Sequence, residues 1–481
     1  MARWWRDWSR GPAAAATDRA AARLRAHRWP APLLDVIARL REGGHRAFLV
    51  GGAVRDTLLG RRAGARFDVS TDLTPEQVIE RFDRVEPTGL RHGTVLVIEG
   101  ELLVECTTFR REGRYSDARR PDAVLWTKDP LEDLDRRDLT VNAMAFDPSS
   151  GELLDPHHGA LDLERRRLRA VGEPLERFRE DALRPLRVAR FAAALEMEPD
   201  EDLRAALAEV SREGSGVVTA AVAPERVRDE LSGILAAPRP STGLELLREA
   251  GLLELWLPEL ARCRGVSQNR FHAFDVYFHS LATCDAAPAH KPVVRWAALL
   301  HDIGKPDTRV ERDGEGTFYN HQFVGAELAE ALLERLRVPQ ALCHAVTHLV
   351  REHMFDYHDD WSDAALRRWL RRVGTDAVAD LFDLRIADML GNGLKQGFPT
   401  YLETMRERIT RLLEESRALV VSDLAVDGHD VMRELGVPPG PVVRAKLEAL
   451  LEEVLDRPGR NTREHLLARL RQWRAGSGEP A

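Results

Sequence analysis

The sequence lacks the features that would place a chain outside the cytoplasm. Its four cysteines, Cys106, Cys263, Cys284 and Cys343, are scattered with no C-x-x-C pair, which argues against a disulfide framework or a zinc knuckle and fits a reducing compartment. No apolar run is long enough to span a bilayer, and the arginines and aspartates near the start leave no room for the apolar segment of a signal peptide. A cytoplasmic protein with no membrane partner is expected. Excess positive charge is missing too: the formal net charge is −8, so any nucleic-acid surface has to be a local patch. No short internal repeat is present.

What remains is an ordinary soluble balance, 44% hydrophobic and 31% charged over 481 residues, too long for one core and suited to several domains. Trp4, Trp5 and Trp8 among Arg3, Arg6 and Arg10 read as a frayed or packed terminal helix rather than a membrane-touching element. Three textures follow. From about Pro32 to Asp147, apolar runs such as Ala47–Val50, Thr94–Ile98 and Leu102–Cys106 predict short strands bounded by glycine or charged turns, hence a small mixed sheet. From about Arg179 onward helical periodicity dominates, broken near Ala237-Pro238-Arg239-Pro240, and the remainder is expected to be almost wholly α. Histidines concentrate between His272 and His358, and the tail beyond Pro399 is amphipathic in Leu, Arg and Glu.

The run from Phe48 to Asp56 places Gly51 and Gly52 between a strand and a helix, where backbone can approach a triphosphate without Cβ obstruction and Arg55 can neutralise charge. Asp68 follows, then Glu105 on a strand, then Arg110, Arg111 and Arg114, and then the run Asp135-Arg136-Arg137-Asp138-Leu139-Thr140-Val141-Asn142-Ala143. This ordered series resembles the head of the polymerase-β-like tRNA nucleotidyltransferase and poly(A) polymerase family. The resemblance implies transfer of nucleotides from CTP and ATP to a tRNA or other RNA 3′ end. Such chemistry uses divalent cations, here Mg²⁺, held by carboxylates. Asp68 and Glu105 are the candidate catalytic ligands. An Asp-x-Asp pair on a strand would present two carboxylates to one side, but the family's first aspartate position is Arg66 here. A guanidinium cannot ligate Mg²⁺ and forms ion pairs instead. Asp72 lies too far along the strand to replace it. Arg110, Arg136 and Arg137 can supply charge to the triphosphate, and Asp135, Asp138 and Asn142 complete the nucleotide-binding set, the latter two able to reach sugar hydroxyls or a base edge.

Further on, Pro185 belongs in the first turn of a helix, which would put Glu180 and Asp181 near its N-terminus, with Arg184, Arg187 and Arg190 forming a basic stripe behind. In the family this Glu-Asp-x-x-Arg element reads the incoming base. A carboxylate accepts from the exocyclic amine of cytosine or adenine and an arginine donates to the neighbouring ring acceptor, whereas uracil and guanine present the opposite polarity. The run Pro224–Leu231 resembles the helix that supports it.

A second constellation starts at Leu299-Leu300-His301-Asp302-Ile303-Gly304-Lys305. With His279 upstream and His321, His353 and Asp388 downstream it resembles the HD phosphohydrolase superfamily, a mixed N/O set suited to Mg, Mn, Co or Ni. His279, His301, Asp302 and Asp388 are expected as the primary shell, His321 and His353 as ligands to a second metal or to phosphate, and His344 and His348 as structural. Such a centre activates water for phosphoester cleavage. The expected architecture is thus an α/β head with a small mixed sheet followed by a mostly α-helical body with an HD domain: an extension (1–31), the head (32–150), a helical neck (151–265), the HD domain (266–395) and a helical tail (396–481). Two other readings stay open: an HD phosphohydrolase whose head only binds nucleotide or RNA, to which Arg66 lends weight, and an adenylate-only or poly(A)-adding polymerase, which shares nearly every motif.

Overall fold

The computed structural model describes residues 11–61, 64–90, 93–112, 124–212, 222–268, 273–312, 315–358, 360–394, 397, 399–415 and 419–476. Trp4, Trp5, Trp8 and Arg114 lie outside them. The chain divides into two compact units, Met1–Ala261 and Arg262–Ala481, whose boundary lies just inside the expected neck segment 151–265.

In the first unit the alternating runs form β1 (Ala47–Val50), β2 (Arg66–Thr71), β3 (Val85–Gly89), β4 (Thr94–Glu99), β5 (Leu102–Thr108), β6 (Arg110–Glu112), β7 (Val124–Trp126), β8 (Ala145–Asp147) and β9 (Glu152–Leu154). Seven of them make one mixed sheet in the order β3-β4-β5-β2-β1-β8-β9, while β6 and β7 form a separate ribbon. Only β2 and β5 run parallel in that sheet. Strand alternation sends Phe67, Val69, Val95, Val97, Val104 and Cys106 into the core and Asp68, Ser70, Glu105 and Thr107 to the opposite face. The helix Ala31–Arg41 buries Leu33, Val36, Ile37 and Leu40 in that core.

The N-terminal helix Pro12–Ala26 is integral to this unit. It buries Ala16, Ala20, Ala21 and Leu24. Its Arg19 makes a two-pronged contact with Glu164, at 2.9 and 2.7 Å, and its Thr17 hydroxyl donates to Asp155 at 3.0 Å. Helices Arg184–Leu195, Pro224–Leu235 and Pro240–Glu249 pack together as the neck.

The second unit holds the helices Val276–Ala286, Pro292–Leu300, His321–Arg335, Gln340–Glu352 and Val378–Gly391. One departure from the all-helical expectation is an antiparallel hairpin, Arg309–Arg312 with Glu315–Phe318. The tail helix Pro441–Asp456 is tied to the helix Asp363–Val373, where Arg368 and Arg371 reach Glu452 at 2.8 and 2.7 Å. Among the described residues no helix is long and apolar enough to cross a membrane.

One glycine joins the fold to the site. A Cβ on Gly159 would collide with the backbone carbonyl of Thr140 and lie 3.3 Å from Met144 Cγ, so the bare glycine lets the helix Gly159–Glu164 seat the short turn Thr140–Asn142. Gly159→Ala is expected to destabilise the first unit by about 1–3 kcal/mol, the usual range for overpacking, seen in calorimetry as a lowered transition for that unit and an unchanged one for the second.

Candidate functional site

The pocket of the first unit opens where β1 meets the Gly51-Gly52 turn. Gly51 has φ +61°, which L side chains rarely adopt, and a Cβ there would lie 3.3 Å from Asp68 Oδ2 and 3.5 Å from Arg137 Nη1. The turn therefore leaves its backbone bare toward a carboxylate and a guanidinium. Asp68 and Glu105 are direct partners in the parallel β2–β5 register, so their carboxylates share one face although they come from different strands. Burial, then the neighbouring Glu105 charge, raises the Asp68 pKa against the opposing pull of Arg137, Arg66 and Arg55. Arg66 is exposed and donates to Glu105 on the neighbouring strand, not to the expected partner, Asp68 on its own strand. Asp72 accepts from the backbone N–H of Arg46 at 2.9 Å and lies 3.2 Å from His45 Nδ1. Two carboxylates match what proteins usually offer Mg²⁺, whose other positions go to water and phosphate. Among the described residues no cluster of three potential metal ligands forms in this pocket.

The arginines are held by buried acids. Asp133, 1% exposed, accepts from Arg136 Nη2 at 2.7 Å, Arg137 Nη2 at 3.3 Å, the Ser70 hydroxyl at 3.2 Å and the Arg110 backbone N–H at 3.4 Å. Burial opposes its charge, but Arg136 and Arg137 outweigh burial and keep the carboxyl below its usual range. Asp138 repeats the arrangement with Arg187 at 2.7 Å and Asn142 Nδ2 at 3.2 Å, and its pKa is likewise far down despite burial. Arg55 donates to Asn142 Oδ1 at 2.6 Å and doubly to Asp56 at 2.9 and 3.0 Å. Glu230 takes Arg190 at 2.5 Å and Arg187 at 3.4 Å. Arg55, Arg187 and Arg190 lie 5.2, 5.6 and 4.2 Å from the Phe191 ring centroid, a cation–π platform.

Pro185 sits in the first turn of Arg184–Leu195, as its fixed φ predicts, but Glu180 ends the preceding helix Pro174–Glu180 and Asp181 caps it. Asp181 is gripped by Arg226 through two hydrogen bonds, at 2.7 and 3.3 Å. Arg184 is fixed by Glu180 at 2.6 Å and by the Arg136 carbonyl at 3.2 Å. Asp68, Glu105, Gly51, Gly52, Arg55, Arg110, Arg136, Arg137, Asp138, Asn142, Asp181, Arg184, Arg187 and Arg190 all line one pocket. Two predicted residues do not. Asp135 is turned outward at the end of its short helix and meets His157 Nε2 at 2.8 Å, and Glu180 stands behind Arg184.

In the second unit, four histidine Nε2 atoms converge on Asp302. His301 lies 3.2 Å and His279 3.6 Å from Asp302 Oδ2, whereas His321 lies 3.3 Å and His353 3.9 Å from Oδ1. Asp388 Oδ1 approaches His279 at 3.1 Å. Each ring is oriented from behind: the Nδ1 atoms of His279, His301, His321 and His353 donate to the carbonyls of Gly391, Ala298, Phe318 and Val350 at 3.2, 2.9, 2.7 and 2.7 Å. A carbonyl can only accept, so Nδ1 carries a proton in each ring and Nε2 faces inward. All but Asp388 are almost fully buried. Burial depresses His301, but Asp302 overcomes it and raises the pKa, while His353, buried beside His301 and His321, is pushed down to about 3. Lys305 Nζ bonds Asp302 and Gln268, both at 2.6 Å. His348 donates to the Val373 carbonyl at 2.7 Å, a structural role, and His344 is exposed away from the centre.

Three family models match in order along the chain: the Poly A polymerase head domain over residues 47–169, the probable RNA and SrmB-binding site of polymerase A over 196–263, and the HD domain over 271–392. The chain is 31% identical over 438 residues to the CCA-adding enzyme of Geobacillus kaustophilus, covering 90% of this chain and 95% of that one. The chain belongs to the tRNA nucleotidyltransferase and poly(A) polymerase family. An A-adding tRNA nucleotidyltransferase of Deinococcus radiodurans is 38% identical over 420 residues, 84% of this chain and 91% of that protein. The crystal structure of the Bacillus stearothermophilus CCA-adding enzyme in complex with CTP superposes with a TM-score of 0.70 at 27% identity, over 93% of this chain and 99% of that one.

Within this nucleotidyltransferase-family pocket, sequence reasoning missed Asp133 and Phe191. Asp133 had a legible signal, since it lies three and four residues before Arg136 and Arg137, the spacing at which helical charges meet. Phe191 had none, because its place beside Arg55 arises only when the neck packs on the head. Arg226 falls in the run Pro224–Leu231 that resembles the supporting helix, and it holds Asp181. Asp133→Asn keeps the shape and removes the charge that opposes two arginines. The expected result is a loss of about 3 kcal/mol or more, typical of a broken buried pair, together with weakened CTP binding, read by calorimetry and by nucleotide titration.

Proposed function

We propose that this chain builds the CCA terminus of tRNA, using CTP and ATP, and that its HD centre is an accessory metal-dependent phosphohydrolase. The transferase reading rests on one observation: the Asp68 and Glu105 carboxylates, a set of arginines and the Asp181–Arg184 pair line a single pocket. Asp68 and Glu105 would hold Mg²⁺, which when bound favours the ionised 3′-hydroxyl and neutralises the leaving pyrophosphate. Arg137 and the Gly51-Gly52 backbone face the triphosphate, while Arg136, braced by Asp133, contributes charge beside it. Asp181 accepts from the amine of cytosine or adenine and Arg184 donates to the adjacent ring nitrogen. Because Arg226 and Glu180 already fix these two side chains, little ordering is left for the nucleotide to supply.

Incubation of the full chain with Mg²⁺, labelled CTP and ATP, and tRNA lacking its 3′ end should yield tRNA whose sequenced terminus is CCA. A terminus extended only by adenylate would assign it to the A-adding class instead. Absence of incorporation would sink the transferase reading, and recovery in Arg66→Asp would trace the loss to that residue. Changing Asp181 or Arg184 should shift the choice between CTP and ATP more than it shifts folding.

For the HD centre, the support is the pair of donor sets that share Asp302, His279-His301-Asp302 and Asp302-His321-His353, with Lys305 and Arg385 on the pocket wall to hold a phosphate. A divalent ion there, one of Mg, Mn, Co or Ni, supplies Lewis acidity and water activation. Elemental analysis of the purified chain should find bound divalent metal that Asp302→Asn loses. The same variant should lose hydrolysis of 2′,3′-cyclic nucleotides or 2′-phosphates while still extending tRNA. A metal-free native protein with no such hydrolysis would remove this half of the proposal.

A further inference from the structure

In-line phosphoryl displacement puts the attacking hydroxyl opposite the leaving pyrophosphate. The pyrophosphate side of this pocket is marked by the Gly51-Gly52 turn after β1, and the sheet continues from there through β2 and β5 to β4. An acceptor RNA therefore enters over β5 and β4, beyond Glu105. On that side the hydroxyls of Thr94 and Thr107 line the pocket 3.1 Å apart, and past them stands Trp126. It is the cross-strand partner of Arg110 in the β6–β7 ribbon, and paired residues share a face, so Trp126 stands beside the pocket-lining Arg110. Its ring lies over Gly93, the residue before Thr94: a Cβ at Gly93 would collide with two ring carbons. The glycine, at φ +78°, gives the indole a bare backbone seat. Trp126 is nevertheless 44% exposed, so one side of the indole is open to a partner's π-face.

We propose that Trp126 is the stacking platform for the 3′-terminal base of the acceptor RNA. The proposal rests on the transferase reading. A base of any identity has a π-face to offer, so such a platform accepts each successive terminus as the RNA grows. The Thr94 and Thr107 hydroxyls, nearer the carboxylates, suit the ribose of the same nucleotide. Trp126 thus positions the acceptor while Asp181 and Arg184 select the incoming nucleotide, and the two tasks fall on opposite sides of Asp68 and Glu105.

The test measures binding of tRNA-like minihelices by the full chain, using one RNA with an intact terminal base and one whose terminal nucleotide is abasic, against the native protein, Trp126→Ala and Trp126→Phe. Native protein should bind the intact RNA on the order of tenfold more tightly than the abasic one. Trp126→Ala should bind both RNAs equally weakly, and Trp126→Phe should recover most of the difference. Equal binding of the two RNAs by native protein would overturn the proposal even if Trp126→Ala failed to fold. It would also be overturned if Trp126→Ala kept the preference for the intact end. Titration with CTP in each variant reports the nucleotide pocket separately, and failure of the transferase reading would show as absent incorporation whichever RNA bound.

Discussion

The nucleotide pocket depends on the cost of burying charge. An unpaired ionised side chain is not tolerated away from water, so a buried carboxylate must be matched by cations at fixed positions. Asp133, Asp138 and Glu230 meet that requirement with Arg136, Arg137, Arg187 and Arg190. These arginines are held in fixed positions on the pocket wall. A cluster of solvated arginines would have to be ordered by the triphosphate on arrival. Here the acids behind them have already done that ordering, which is the physical meaning of a preorganised electrostatic site. The same network links binding tasks: Asp138 ties the head to Arg187 on the neck helix, and the Arg136 carbonyl accepts from Arg184.

The HD centre faces a related problem, with four imidazoles gathered around one carboxylate. Backbone carbonyls at Nδ1 orient every ring so that its Nε2 faces inward. Asp302 supplies the negative charge at the crossing point, and its pKa is held well below the usual carboxylate range, against burial, by His301 and Lys305. Gly304 permits the fold of this segment, because a Cβ there would run into the backbone of His321 and Gly325. The turn bearing His301 and Asp302, just after the helix Pro292–Leu300, can thus approach the helix that begins at His321 closely enough for one carboxylate to serve both donor sets.

Much of this was legible in the sequence where local chemistry and order along the chain carry the signal. The Gly-Gly turn, the strand bearing Glu105, Pro185 at the start of its helix and the gathering of His279, His301, Asp302, His321, His353 and Asp388 were all signalled by residue type and order along the chain. What escaped was decided by packing between distant segments. Asp135 reads like Asp133 and Asp138, yet it falls on the outer side of a one-turn helix. Glu180 and Asp181, adjacent in sequence, face different ways because one ends a helix and the next caps it. The hairpin Arg309–Phe318 hides in a helical region since its polar, short strands have no apolar period to detect.

Arg66 shows how register can absorb a substitution that strand periodicity alone would treat as fatal. Along β2, residues 66 and 68 would form the carboxylate pair, and the arginine breaks it. Across the sheet, parallel pairing sets Asp68 beside Glu105, so two acids still share a face without residue 66. Arg66 then answers the charge of Glu105 from the solvent side, which lowers the repulsion between the two carboxylates in the absence of cations. Glu105 is consequently shared between an arginine at the rim and Asp68 within. The hold of that partly exposed guanidinium is weakened by water. The parallel pairing of β2 and β5, rather than the motif on β2, is therefore the feature that keeps two carboxylates on one face of the head.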